Sequence, residues 1–389
     1  MRLSMPDVEK RAKEFRPQVV GLTAFTHEVF QAGELASSIK AHLPSVFTVI
    51  GGVHASAIPS ATLERIPGFD AALIGEGEEA FLEVLERVAA GERSFAGIPG
   101  LIWREDGALR GDPTIRRVAD MDALPFPAWH LLLRTPEYQI MTARGCPRAC
   151  VFCMSPYGRR TIREMSPGRV MEEMDWAIEE FRPTTYKFND ESFGFNGDRM
   201  HAILDGMLSR GFGKKTRFIA SMRADRVTAG LLRKMKEANF YAVEVGVETG
   251  DETIPKNIKK GESLAETERA VRLVKEHGFR VLCGFIIGHP GDTRETVLRT
   301  IDFAARLDPD VAAFGLMVPY PGTDVAEYAA TGRYGYRLLS DDWSTYNKQY
   351  GGALELEELP RAVMERLQIY AYLKVFLANR RFGDAARFL

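Results

Sequence analysis

From Tyr138 to about residue 325 the chain alternates, six times over, between a short apolar run and a longer stretch of helical periodicity. The runs that read as strands are 138–143, 185–190, 216–221, 241–247, 280–287 and 311–317, with helices near 167–181, 197–210, 229–237, 264–277 and 293–306. Apolar strands separated by helices bury themselves by lying parallel, with the helices packed outside. Six such units predict a partial (β/α)6 barrel, and in sheets of this kind chemistry gathers at the carboxyl ends of the strands.

The front of the chain has the same rhythm on a smaller scale. Strands are expected at 19–23, 47–50 and 71–74, and helices at 7–15, 28–43 and 78–90. Glycine pairs stand where the strands end, in Gly51-Gly52-Val53-His54 and Gly75-Glu76-Gly77-Glu78. That is where an open parallel sheet takes its ligand. Residues 92–137 connect the two regions; Leu101-Ile102-Trp103 adds a strand, and the proline-punctuated Leu124-Pro125-Phe126-Pro127-Ala128-Trp129 cannot continue a helix. The tail opens with Tyr334, Tyr336, Trp343, Tyr346 and Tyr350 and turns helical over 357–379. The expected division is therefore 1–105, a linker at 106–137, the barrel at 138–330 and an extension at 331–389.

Only four cysteines occur in 389 residues, and three of them form Cys146-Pro147-Arg148-Ala149-Cys150-Val151-Phe152-Cys153 just past the first barrel strand. A secreted disulfide scaffold would use more cysteines and spread them out. Three thiolates on one short loop can hold three irons of a 4Fe-4S cubane and leave the fourth iron open. Zinc is the competing metal, but a structural zinc closes with four ligands and no His or Cys follows closely behind Cys153. Fifty-one basic against fifty-three acidic residues give a net charge of −2, which argues against a nucleic-acid binder. No apolar run is long enough to span a bilayer, and the first residues carry no apolar signal core, so a cytoplasmic location is expected.

The cysteine loop, its preceding strand and the six-unit region resemble the radical S-adenosylmethionine superfamily. The resemblance implies a 4Fe-4S cluster on Cys146, Cys150 and Cys153, with Phe152 as the aromatic residue before the last cysteine. The cofactor's methionyl amine and carboxylate would chelate the open iron, and reductive cleavage would yield a 5′-deoxyadenosyl radical. Asp190 or Glu191 then falls near the cofactor's amino group, with a helix cap as the competing role. Ser221 and Arg223 fall at its carboxylate, where a planar guanidinium fork suits the task. Glu248 falls at the ribose hydroxyls, the segment from Gly284 to Gly288 at the adenine, and Val318 over it. Cys283 reads as a small buried strand residue. Arg144 and Arg148 either offset thiolate charge or lie in solvent.

The front region resembles the later half of the cobalamin-binding domain found in one large subgroup of that superfamily. This implies a cobalamin site built from Thr23, Thr26, Gly51, Gly52, His54, Gly75, Glu76 and Gly77, the glycines letting main chain approach the ligand. Only 18 residues precede Val19. An incomplete, Rossmann-like front domain is therefore expected, without the strand–helix–strand unit whose loop carries the cobalt-ligating histidine in some classes. His27 and His54 are not in its place. The resemblance implies cobalamin-dependent methyl transfer, or carbon rearrangement or cyclisation, on a small-molecule substrate. Flavodoxin or ferredoxin would be the reductant. A radical enzyme with a vestigial front domain and no cobalamin is the alternative, and a zinc-stabilised protein without turnover is a third, remote one.

Overall fold

The computed structural model describes residues 3–132, 134–154, 161–349 and 351–388; Tyr350 lies outside them. Its centre is a sheet of six parallel strands: β6 (Glu137–Ile140), β9 (Thr185–Phe193), β10 (Arg217–Met222), β11 (Phe240–Glu248), β12 (Arg280–Ile287) and β13 (Val311–Leu316). Between β6 and β9 a small antiparallel pair, β7 (Ala143–Arg144) and β8 (Arg163–Glu164), brackets the cysteine loop. The expected partial barrel is present.

Alternation along each strand separates two faces. On β12, residues alternate between buried and half-buried from Val281 to Ile287. The outer face packs on the helices. There Phe188, Phe193, Phe218 and Phe240 form one ring cluster, with Phe188 and Phe240 stacked at 5.5 Å. The inner face carries Lys187, Ser221 and Glu244, half-exposed on neighbouring strands, with Lys187 and Ser221 both donating to Glu244. Helix entry is set by side-chain caps: Ser166, Asn196, Thr228, Ser263 and Thr293 each accept a first-turn N–H.

The front sheet has five strands in the order β1 (Val19–Thr23), β2 (Phe47–Gly51), β3 (Ala71–Leu73), β4 (Leu101–Glu105) and β5 (Ala108–Asp112). The first three are parallel, as expected. The last two run antiparallel, so the sheet is mixed. β5 has no apolar alternation to announce it, because all of it except Leu109 is exposed. The helix Met5–Phe15 lies on the helix Val29–His42, with the Ser38 hydroxyl donating to Glu9 at 2.6 Å.

The extension forms a short antiparallel pair, β14 (Tyr336–Leu338) with β15 (Leu354–Leu356), followed by helices Arg361–Ala378 and Phe382–Phe388. It covers the outer edge of the barrel sheet. Leu316 N donates to Lys348 O at 2.8 Å, Phe314 N to the Tyr372 hydroxyl at 3.0 Å, and Gln368 Nε2 to Phe314 O at 2.8 Å. These bonds satisfy strand groups that would otherwise stay open. The aromatic opening of the tail reaches the front domain: Trp343 stacks on Phe30 at 5.5 Å, meets His54 edge-on at 4.5 Å and lies under the Arg65 guanidinium at 4.2 Å. Among the described residues no helix is long and apolar enough to cross a membrane.

Candidate active site

The cysteine loop hangs on Val151, which is fully buried. Val151 N donates to Ile258 O at 3.2 Å, and its carbonyl accepts from Val325 N at 3.1 Å. Pinning the middle of the loop turns all three thiols to one side. Cys146, Cys150 and Cys153 line a single cavity of about 460 Å³ at the carboxyl ends of the barrel strands. A lone zinc needs its sulfurs about 2.3 Å from one centre, whereas a cubane spreads them over different irons. Three thiols on one loop, facing one cavity with no fourth Cys or His beside them in its lining, fit a four-iron cluster with one open iron. Burial pushes the Cys150 thiol up, while Lys260 and Arg223 act in the opposite direction.

Phe152, Glu191, Ser221, Arg223, Glu248 and Gly284 share that cavity with the thiols. A methyl group on Gly284 would meet no atom within 4 Å, so the missing side chain opens the wall where a flat group can lie. Glu248 ends β11 with φ 70°, a left-handed conformation costly for any residue but glycine.

Arg223 is held by Asp225 at 3.1 Å and Glu262 at 3.1 Å. Lys260 stands 3.1 Å from Glu262 and 3.5 Å from Glu248, and also bonds Gly246 O. Lys260, Glu262 and Glu244 were absent from the sequence-derived site. The first two sit on the loop after the short helix Ile254–Ile258, which folds back over the cavity and carries no periodic signal.

Three expected residues stand elsewhere. Asp190 shares the outer face of β9 with Phe188 and accepts from Thr142 N at 2.5 Å, the Thr142 hydroxyl at 2.5 Å and Ala143 N at 3.1 Å. Burial raises its pKa to about 6 against those bonds. Gly288 lies under the extension, its carbonyl accepting from the Tyr336 hydroxyl at 2.8 Å. Val318 is buried in the core shared with the front domain. Cys283 is buried, its thiol pushed up to about 12 by that burial. Neither loop arginine is simply solvated. Arg144 bonds Glu76 at 2.8 Å and Glu78 at 2.6 Å, and Arg148 bonds Asp225 at 2.9 Å.

In the front domain, Thr23, Gly51, Gly75, Glu76 and Gly77 line a second cavity of about 460 Å³, and Gly52 lines a smaller one beside it. Gly52 has φ 90°, and a Cβ there would stand 2.4 Å from the Thr23 hydroxyl. Glu76 also binds Arg163 and accepts from Val118 N at 3.1 Å. Its partners hold its carboxyl below the usual range, against the burial that would raise it. Thr26 and His54 bond each other at 3.2 Å away from both cavities, and burial lowers the His54 pKa to about 4.

The chain as a whole is similar to known proteins. The profile of the Radical SAM superfamily matches residues 140–304, and that of the B12 binding domain matches residues 1–85. The chain belongs to the radical S-adenosylmethionine superfamily, among its members with a cobalamin-binding-type front domain. An uncharacterized methyltransferase of Pyrococcus horikoshii is 33% identical over 384 residues, which make up 96% of this chain and 82% of the relative. The anaerobic magnesium-protoporphyrin IX monomethyl ester cyclase of Cereibacter sphaeroides is 26% identical over 337 residues, covering 82% of this chain and 54% of the cyclase. The solved structure of TsrM from Kitasatospora setae, a radical S-adenosylmethionine methyltransferase with cobalamin and a 4Fe-4S cluster bound, aligns with a TM-score of 0.71. The identity there is 19%, over 96% of this chain and 82% of TsrM. At that identity the likeness speaks for the fold.

Proposed function

We propose that this protein is a cobalamin-dependent radical enzyme that transfers a methyl group, or rearranges or cyclises carbon, on a small-molecule substrate. The observation that carries the radical chemistry is the single cavity shared by three thiols and the side chains of Glu191, Arg223 and Glu248. When bound, a reduced cluster supplies the electron that splits S-adenosylmethionine into methionine and a 5′-deoxyadenosyl radical. The chain's own residues orient the cofactor. Glu191 accepts from its amine. Arg223, whose Nε and Nη2 are taken by Asp225, Glu262 and Lys260 O, keeps Nη1 for its carboxylate. Glu248 accepts from the ribose hydroxyls, and Gly284 leaves room for the adenine.

Cobalamin is supported by the glycine-lined front cavity and by what the similar proteins carry. Thr23, Gly51, Gly52, Gly75 and Gly77 would hold it and Glu76 would border it. Cobalamin would supply the methyl group. A second reading keeps the radical chemistry without cobalamin. It is favoured by Glu76, whose carboxylate is already engaged by two arginines. Anaerobic reconstitution with S-adenosylmethionine and dithionite tests the first claim through 5′-deoxyadenosine. Absorption bands of cobalamin after incubation and desalting test the second. A flavodoxin or ferredoxin as reductant, a cytoplasmic location and the division into front domain, linker, barrel and extension are part of the same proposal. Because β5 completes the front sheet, we place the end of that domain after Asp112.

A further inference from the structure

We propose that His289 is a positioning residue: it fixes the backbone of Glu248 so that the carboxylate stands in the cofactor cavity, and it joins that backbone to the cysteine loop. The inference rests on the role of Glu248 proposed above.

Glu248 sits where the ladder between β11 and β12 slips: Gly246 pairs with Gly284, but Glu248 pairs with Phe285. Its φ of 70° is one that a non-glycine residue keeps only when its surroundings impose it. Thr249 N closes a three-residue turn around Glu248, donating to Val247 O at 2.9 Å, and His289 holds that turn from outside, its Nε2 3.3 Å from the Glu248 carbonyl. Facing a carbonyl, Nε2 must carry the proton, and Nδ1 is then a bare acceptor. Nδ1 is buried and, among the described residues, has no partner. A phenylalanine would fill the same space without that unpaired nitrogen. The imidazole therefore contributes one thing an apolar ring lacks, its donor to Glu248.

His289 is itself held rigidly. The Asp292 carboxylate accepts from Gly288 N at 2.9 Å and His289 N at 2.8 Å, and the Tyr336 hydroxyl donates to Gly288 O from the extension. Its ring lies 5.5 Å, centre to centre, from that of Phe152, the residue just before Cys153. One wholly buried side chain thus touches the loop of thiols and the backbone behind Glu248. Burial lowers its pKa to about 3, so the ring is neutral and Nδ1 carries no proton.

The test is calorimetric titration of S-adenosylmethionine into anaerobically reconstituted protein, with iron content and unfolding temperature measured on each variant. His289→Phe keeps the ring and removes the donor; it is expected to weaken binding about tenfold, the worth of one lost hydrogen bond, with iron content unchanged. His289→Gln, which returns an N–H, restores most of the affinity. Glu248→Gln weakens binding by itself, and adding His289→Phe to it costs little more, because both act through one contact. Wild-type affinity in His289→Phe, or fully additive losses in the double variant, overturns the proposal. Wild-type affinity in Glu248→Gln would instead remove the ribose role on which it rests. Should His289→Phe not accumulate, His289→Asn takes its place, since the shorter amide does not reach; binding as tight as in His289→Gln then overturns the proposal.

Discussion

At the carboxyl ends of the barrel strands the cavity wall consists of charged side chains that hold one another. Arg223, Glu262, Lys260 and Glu248 form a continuous chain of contacts, and Ser221, Glu244 and Lys187 form another beneath it. At the carboxyl ends of β1 to β3 four glycines, Gly21, Gly51, Gly75 and Gly77, share the wall with apolar side chains such as Leu22, Leu73 and Phe81, and its only charged groups are Glu76 and Glu78. The contrast matches what each end would grip in the proposed function. A small, charged cofactor needs its groups fixed before it arrives, and interlocked ions supply that order. A large ligand needs room, and missing side chains let the backbone come close. The two ends meet at Arg144, two residues before Cys146, which Glu76 and Glu78 of the front domain hold.

The sharpest way to break the barrel side of this contrast is Cys150→Ala, which is expected to bring 5′-deoxyadenosine down to background in a reduced, reconstituted assay. Retained product would show that the loop does not ligate the cluster. The joint between the two ends comes next. Glu76 is almost fully buried between two arginines, so Glu76→Ala removes the acid they share, leaving Arg144 with Glu78 and Arg163 with the Val118 carbonyl, and is expected to destabilise the fold by about 1.5–3 kcal/mol, measured by denaturant titration.

Gly52→Val attacks the glycine end alone. It forces a branched side chain into φ 90° beside the Thr23 hydroxyl, at a cost of about 1–3 kcal/mol. Cobalamin uptake should fall, while 5′-deoxyadenosine still forms in the barrel. Equal loss of both would mean that the two ends do not work separately.

The smallest effect is on pH dependence. His54, with a pKa near 4, stays neutral in the fold while an unfolded histidine titrates near 6.5. Its contribution is complete above pH 6.5 and is lost as pH falls towards 4. Asp190 and Asp292, both raised to about 6 by burial, work in the opposite sense: their contribution is complete below about pH 4 and is lost as pH rises through 6. The stability difference between wild type and His54→Gln isolates the histidine and should shrink between pH 6.5 and 4.

The barrel was legible because its strands and helices obey simple periods. The helices at 167–181, 197–210 and 229–237 stand at the residues expected. The choice between Asp190 and Glu191, left open on the sequence, had a signal in the chain, its parity. Asp190 falls in step with Tyr186 and Phe188, whose rings are buried, and Glu191 falls in step with Lys187 on the lumen side. Lys260 and Glu262 were not legible, because a loop that folds back has no period. Nor was the seat of Trp343, which depends on contacts between residues far apart in the chain, such as Arg65 with the Asp341 carbonyl. The antiparallel end of the front sheet was missed for a different reason: Asp106-Gly107, both at positive φ, is a hairpin signal, but the exposed β5 that follows it has no apolar alternation to mark it as a strand.

The strap formed by Tyr336 and Trp343 has a consequence for biogenesis. It plugs into the front domain through Phe30, His54 and Arg65 and into the barrel through Gly288. On a ribosome, both earlier domains emerge before the wedge that locks them together, and domains tend to fold in that order. The half-made protein must keep its apolar seam covered in the interval, which gives a chaperone, or early cofactor loading, a window in which to act.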